Sequence, residues 1–141
     1  MPRDAREEEV AAWLDRARQD LRAAEVDLDA GPPLLGDAAF HSQQAVEKAL
    51  KAFLTRHDHR FRATHDIGEL ALACLEHEAS LEALLRESAP LTEYAGPVRY
   101  PAEPFEPERR EVEDAYRLAR RVVEEVAAKA RRQLDFRAER E

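Results

Sequence analysis

The stretch Gly36–His57, GDAAFHSQQAVEKALKAFLTRH, decides the fold. With Phe40 set at 0° and about 100° added per residue, its side chains sort into three arcs. Val46, Leu50, Phe53 and Leu54 fall between roughly 220° and 320°. Ala45, Ala49 and Ala52 fall between roughly 120° and 180°, a face that admits a second helix closely. Gln44, Glu47, Lys48 and Lys51 form a polar stripe from roughly 340° to 80°. A helix apolar on two sides is mostly buried, so this stripe lines a groove or an interface. Asp37 is placed to cap the helix N-terminus.

Helical spacing continues on both sides. Val10, Trp13, Leu14, Ala17, Leu21, Ala24 and Leu28 predict a long helix over residues 5–29, with Glu7, Glu8 and Glu9 at its start. Gly31-Pro32-Pro33 ends it. Downstream, residues 57–64 lack strand alternation and read as a loop. Thr64 or Asp66 is suited to cap a third helix through Leu70, Leu72, Cys74 and Leu75. A break near His77–Ser80 precedes a fourth helix with Leu81, Leu84 and Leu85, which can continue past Pro90 through Leu91 and Tyr94. Four prolines between Gly96 and Pro107 preclude regular helix there. A last helix over 108–135 carries Val112, Ala115, Tyr116, Ala119, Val122, Val123, Val126 and Ala130 on one face. No strand signal and no internal repeat occur. The expected fold is all-α: an up-and-down bundle of about five helices, three long and two shorter. One domain spans 1–141, with 131–141 a charged tail expected to fray.

Composition narrows the function classes. In 141 residues there is one Cys, which excludes an intrachain disulfide and a Cys-based zinc site. There is no long apolar run and no apolar leader, so the expectation is a cytoplasmic protein without membrane attachment. Arg outnumbers Lys 19 to 3 and Asn is absent, a pattern expected of a heat-adapted or GC-rich source. The net charge of −8 argues against nucleic-acid binding by bulk charge. That charge is uneven: residues 1–29 carry −4 and 67–107 carry −6, but 41–66 carry +2 together with four of the five histidines. Two of the three lysines, Lys48 and Lys51, sit on the stripe, and a flexible ammonium is suited to phosphate. Against this stands the plain reading of Glu47 and Lys51 as an i,i+4 pair worth about 0.3–0.5 kcal/mol. No metal site is expected; the nearest candidate is His57-x-His59 with His65. Cys74, Trp13 and Tyr116 fall on helical stripes and read as core.

The run Ala39-Phe40-His41-Ser42-Gln43-Gln44-Ala45-Val46-Glu47-Lys48-Ala49-Leu50-Lys51-Ala52 resembles the signature of HEPN domains (higher eukaryotes and prokaryotes nucleotide-binding). His65-Asp66-Ile67 with Leu70 is similar to that family's HDL segment, and Arg99-Tyr100-Pro101 to its RYP segment. Asp20-Leu21 with Ala23-Ala24 is similar to its first helix. The resemblance spans roughly residues 12–130. It implies a helical bundle that commonly dimerises and is often encoded beside a small nucleotidyltransferase, as a two-component or toxin–antitoxin pair. Many such domains are metal-independent RNases with Arg-x4–6-His near the start of the last long helix. Here that helix contains no His, and the only comparable spacing, Arg60 with His65, lies in the loop before the third helix.

Three functions stay open. The first is a nucleotide- or substrate-binding subunit of a separately encoded nucleotidyltransferase, with no cofactor beyond a possible nucleotide ligand. Gln44, Lys48, Lys51, His65, Arg99 and Tyr100 would form its cleft: the cations on phosphate, Tyr100 on a base, His65 in a hydrogen bond. The second is an RNase using His65 with Arg60 or Arg99 as acid, base and phosphate contact. The third is a non-catalytic interaction module. A homodimer is expected from the alanine face and the family habit.

Overall fold

The computed structural model describes residues 3–95 and 107–140, and the side chains of 4–95 and 107–130. Five α-helices appear in it: α1 (Arg3–Asp29), α2 (Leu35–Arg56), α3 (Ile67–Leu75), α4 (Glu82–Ser88) and α5 (Arg109–Arg140). Short 3-10 segments precede and follow α4, at Ala79–Leu81 and Ala89–Ala95. Among the described residues there is no strand. The second segment carries the chain past Pro90 as expected, but as a 3-10 helix. α1 begins at Arg3, which leaves Asp4 in its first turn and moves Glu7–Glu9 to the second. α5 runs on to Arg140, through most of the tail where fraying is expected.

α2 is the axis of the molecule. It packs against α1, α5, α3 and the second 3-10 segment, and 16 of its 22 residues are buried. Its large face places Val46, Leu50, Phe53 and Leu54 in the main core, with Ile67 and Leu70 of α3, Leu85 of α4 and Val112, Val122 and Val126 of α5. Its alanine face does what small side chains allow. Ala52 meets Val10 and Leu14 of α1 and Ala127 of α5, with Trp13 at the edge. Ala17 and Ala24 of α1 complete the close approach in the main core. Cys74 is fully buried, its Sγ 3.8 Å from the Leu50 carbonyl oxygen, and burial pushes its thiol up to about 12. It is therefore a core residue rather than a nucleophile.

Local signals set the ends. Asp66 caps α3, its side chain accepting from the Glu69 backbone N–H at 3.3 Å, while Thr64 accepts from the Asp66 N–H. Asp37 lies in the first turn of α2, and its N-cap position is held by Leu34, which makes no side-chain cap hydrogen bond. The loop between α2 and α3 is tied back to α1 by Arg6 and Asp58 at 3.3 Å. The Tyr94 hydroxyl donates to Glu111, fixing the segment before the proline-rich stretch against α5.

Candidate functional site

Three of the four residues in the polar stripe of α2 are buried, as its flanking apolar arcs require, and Lys48 is partly exposed. Gln44, Glu47 and Lys51 are each 9% exposed or less. Buried polar groups need partners, and the partners divide the stripe into two clusters.

The first cluster is centred on Glu47. Its Oε2 accepts from Lys51 Nζ at 3.0 Å and its Oε1 from His65 Nδ1 at 2.7 Å. Gln43 Nε2 donates to the His65 carbonyl oxygen at 3.0 Å, and Gln44 Nε2 donates to Gln43 Oε1 at 2.6 Å. The Lys51 ammonium also sits 5.5 Å from the Trp13 ring centroid and 5.9 Å from that of Phe61. Burial pushes the Glu47 carboxyl up, but the hydrogen bonds and charges of Lys51 and His65 outweigh it and hold the carboxyl below its ordinary range. His65 itself is 69% exposed. A buried carboxylate thus fixes an imidazole at the surface by its Nδ1, leaving Nε2 as the nitrogen available to a ligand.

The second cluster faces α1. Asp20 accepts from Lys48 Nζ at 2.5 Å through Oδ2 and from His41 Nδ1 at 2.8 Å through Oδ1. His41 Nε2 reaches Asp37 at 3.5 Å, and Asp37 in turn faces Asp27. Burial and then the neighbouring Asp37 push the Asp27 carboxyl from its ordinary 3.8 to about 6, with His41 pulling the other way. A folded-state value raised above the unfolded one means this group favours folding in acid and loses that contribution as pH rises through about 6. Asp27→Asn is therefore expected to stabilise the chain at pH 7 by about 1 kcal/mol, discounted for solvent around the exposed Asp37, and to gain nothing at pH 4. Urea denaturation at the two pH values measures this.

Of the expected ligand residues, Gln44, Lys51 and His65 are gathered around Glu47. Lys48 is on the same helix but turned to Asp20. Arg99 and Tyr100 lie outside the described residues. Arg60 lines a groove with Glu9, Asp58, His59 and Phe61, and no described contact joins it to His65. Nor does the triad of His57, His59 and His65 form. His65 is held by Glu47, while His59 Nδ1 lies 2.8 Å from His77 Nε2. His57 stacks on His77, with centroids 4.2 Å apart and planes 17° apart. A groove of about 640 Å³ runs along α3 and α4, lined by Arg62, Asp66, Glu69, Leu72 and Arg86, and contains none of the expected ligand residues.

Three residues central to this site fall outside the expected set. Glu47 lies on the predicted stripe but is no phosphate ligand. Gln43 projects at roughly 300°, inside the apolar arc, and a buried amide there is a detectable signal. Asp20 depends on the pairing of α1 with α2.

The HEPN domain profile matches residues 10–131, nearly the whole described bundle and both clusters. The chain belongs to the HEPN family. The TT1696 protein of Thermus thermophilus is similar, at 35% identity with a TM-score of 0.70 over 85% of this chain and 97% of that one. The archaeal HEPN homologue ST0689 is 25% identical with a TM-score of 0.66, over 86% of this chain and 97% of its own. No curated protein matches. In this HEPN chain no helix among the described residues is long and apolar enough to cross a membrane.

Proposed function

We propose that this HEPN chain is the binding subunit of a two-chain system, a dimer that holds a nucleotide or nucleotide-like substrate for a separately encoded nucleotidyltransferase. The observation that carries it is the Glu47–His65 pair. A carboxylate 3% exposed is costly to bury, and here it orients an imidazole that faces solvent. That arrangement suits hydrogen bonding to a ligand. Lys48, 22% exposed, is the ammonium able to exchange its carboxylate partner for a phosphate. Gln44 and Lys51 stand behind them as supports.

Calorimetric titration of the chain with ATP is the test. Binding of one nucleotide per chain is expected, weakened about tenfold by His65→Ala and by Lys48→Ala, a loss of about 1.4 kcal/mol each. No heat at millimolar nucleotide, or identical titrations for all three proteins, refutes the proposal. Light scattering reports the dimer.

One observation favours a second function, the non-catalytic interaction module. Both stripe lysines are already matched by carboxylates, Lys48 by Asp20 and Lys51 by Glu47, so neither adds much to the field outside. In that case nucleotide produces no heat, and partner capture survives Lys48→Ala. RNA cleavage by His65 with Arg60 has no such support, because no described contact joins the two, and Arg99 lies outside the described residues. Cleavage in EDTA that disappears in His65→Ala would restore it.

A further inference from the structure

The end of α2 and the end of α3 meet in a corner that neither proposed function uses. His59 Nδ1, His77 Nε2 and a Glu76 carboxylate oxygen all lie within 4.8 Å of one another. The two ring nitrogens are 2.8 Å apart and Glu76 Oε2 is 3.8 Å from His59 Nδ1. We propose that this corner is a binding site for a divalent transition-metal ion of the Zn2+ class.

The donor set is the first ground. Two imidazoles and one carboxylate match open zinc sites, which keep a further position for water. Imidazole selects transition metals over Mg2+ and Ca2+, which take oxygen. The spacing is the second. Ligands at about 2.05 Å around a tetrahedral ion stand about 3.3 Å from one another. The nitrogen pair has to open by about half an ångström and the carboxylate to close by a similar amount, both within the reach of side-chain rotation.

Fixed backbone is the third ground. The His59 backbone N–H donates to the Leu54 carbonyl at 2.9 Å, so the residue is pinned to the last turn of α2. The His77 N–H donates to Cys74 at 3.0 Å and the Glu76 N–H to Ala73 at 3.3 Å, which pins both to the last turn of α3. The His77 ring is further set by the stacked His57, which lies 4.6 Å from the buried Phe53. Such supporting contacts orient metal ligands. The α3 C-terminus also presents the negative end of its dipole to a cation.

The rival cluster is Asp27, Asp37 and His41. It offers one imidazole and two carboxylates, a harder donor set that favours a Zn2+-class ion less than two imidazoles and one carboxylate do.

The test is titration of the whole chain with Zn2+ by calorimetry and with Co2+ by visible absorption. One ion per chain is expected, with Co2+ bands of a low-coordinate nitrogen-ligated ion. His59→Ala, His77→Ala and Glu76→Ala are each expected to weaken binding at least about tenfold. His41→Ala and His65→Ala are expected to leave it unchanged. Absence of one-to-one binding, or loss of binding in His41→Ala or His65→Ala, overturns the proposal. A readout on the unaltered chain removes dependence on the folding of variants: substoichiometric Cu2+ has to broaden the His59 and His77 ring resonances before those of His41 and His65, and the reverse order overturns the site.

Discussion

Glu47→Ala is expected to cost this domain about 3 kcal/mol. The reason is not the two hydrogen bonds as such. Lys51 is 7% exposed, sits against the Trp13 and Phe61 rings, and is paired with the Glu47 carboxylate at 3.0 Å. Removing one member of a buried pair leaves the other as an uncompensated charge, which costs about 3–5 kcal/mol. The two aromatic rings return part of that through cation–π attraction, which sets the lower end of the range. Urea denaturation reads the loss as a lower midpoint at unchanged slope. The double variant Glu47→Leu with Lys51→Met removes both charges and is expected to recover most of it, because an apolar pair of similar size has no desolvation cost. If Glu47→Ala costs less than about 1 kcal/mol, the carboxylate is effectively solvated and the hub does not exist.

The same carboxylate sets an acid limit. Its folded-state titration lies below the ordinary 4.5, so it contributes stability at pH values above that and loses it as pH falls through the folded value. The gap between the unaltered chain and Glu47→Ala is therefore expected to narrow progressively below about pH 4.5.

How much of this was legible in the sequence differs by level. The period of α2 gave its burial and its polar stripe, because two apolar arcs flanking a narrow polar one admit few other arrangements. Asp66 as a cap is local chemistry, readable over four or five residues, whereas the break expected at the proline-rich stretch falls on residues outside the described ones. The site was only half readable. Gln44, Lys51 and His65 meet, but the group that joins them is Glu47, an acid that a search for phosphate ligands passes over. Lys48 shares the stripe with Lys51 and still turns the other way, because Asp20 waits on α1 across the helix pair. That partner depends on the register of two helices, and no spacing within α2 encodes it. The His59–His77 contact likewise spans 18 residues and exists because α3 folds back along α2. Sequence spacing proposed His57, His59 and His65, three neighbours in the chain. Folding instead turned His65 toward Glu47, stacked His57 against His77, and brought Glu76 and His77 to His59 from the turn after α3.

Phe53→Ala is the second large expected loss, about 4 kcal/mol, and it separates the core from the histidine corner above it. Phe53 is fully buried on the large face of α2, beside Leu50 and Leu54. Truncating a buried Phe removes its transfer free energy and leaves a cavity, together about 3–5 kcal/mol. In a domain of this size that is roughly a 13 °C fall in melting temperature. Leu72→Ala is the control: Leu72 is 71% exposed and its truncation is expected to stay within about 0.5 kcal/mol. The ring has a second role, since His57 rests on it at 4.6 Å and His77 lies 6.5 Å away. Phe53→Leu keeps most of the volume and is expected to cost less than about 1.5 kcal/mol, yet it removes the tilted ring contact with His57. If the corner is held by core packing alone, the His57 and His77 ring resonances stay where they are in Phe53→Leu. If ring-on-ring contact holds it, those two resonances shift while the core keeps its stability, and Zn2+ affinity falls with them. Equal losses for Phe53→Ala and Leu72→Ala would refute the placement of the core around α2.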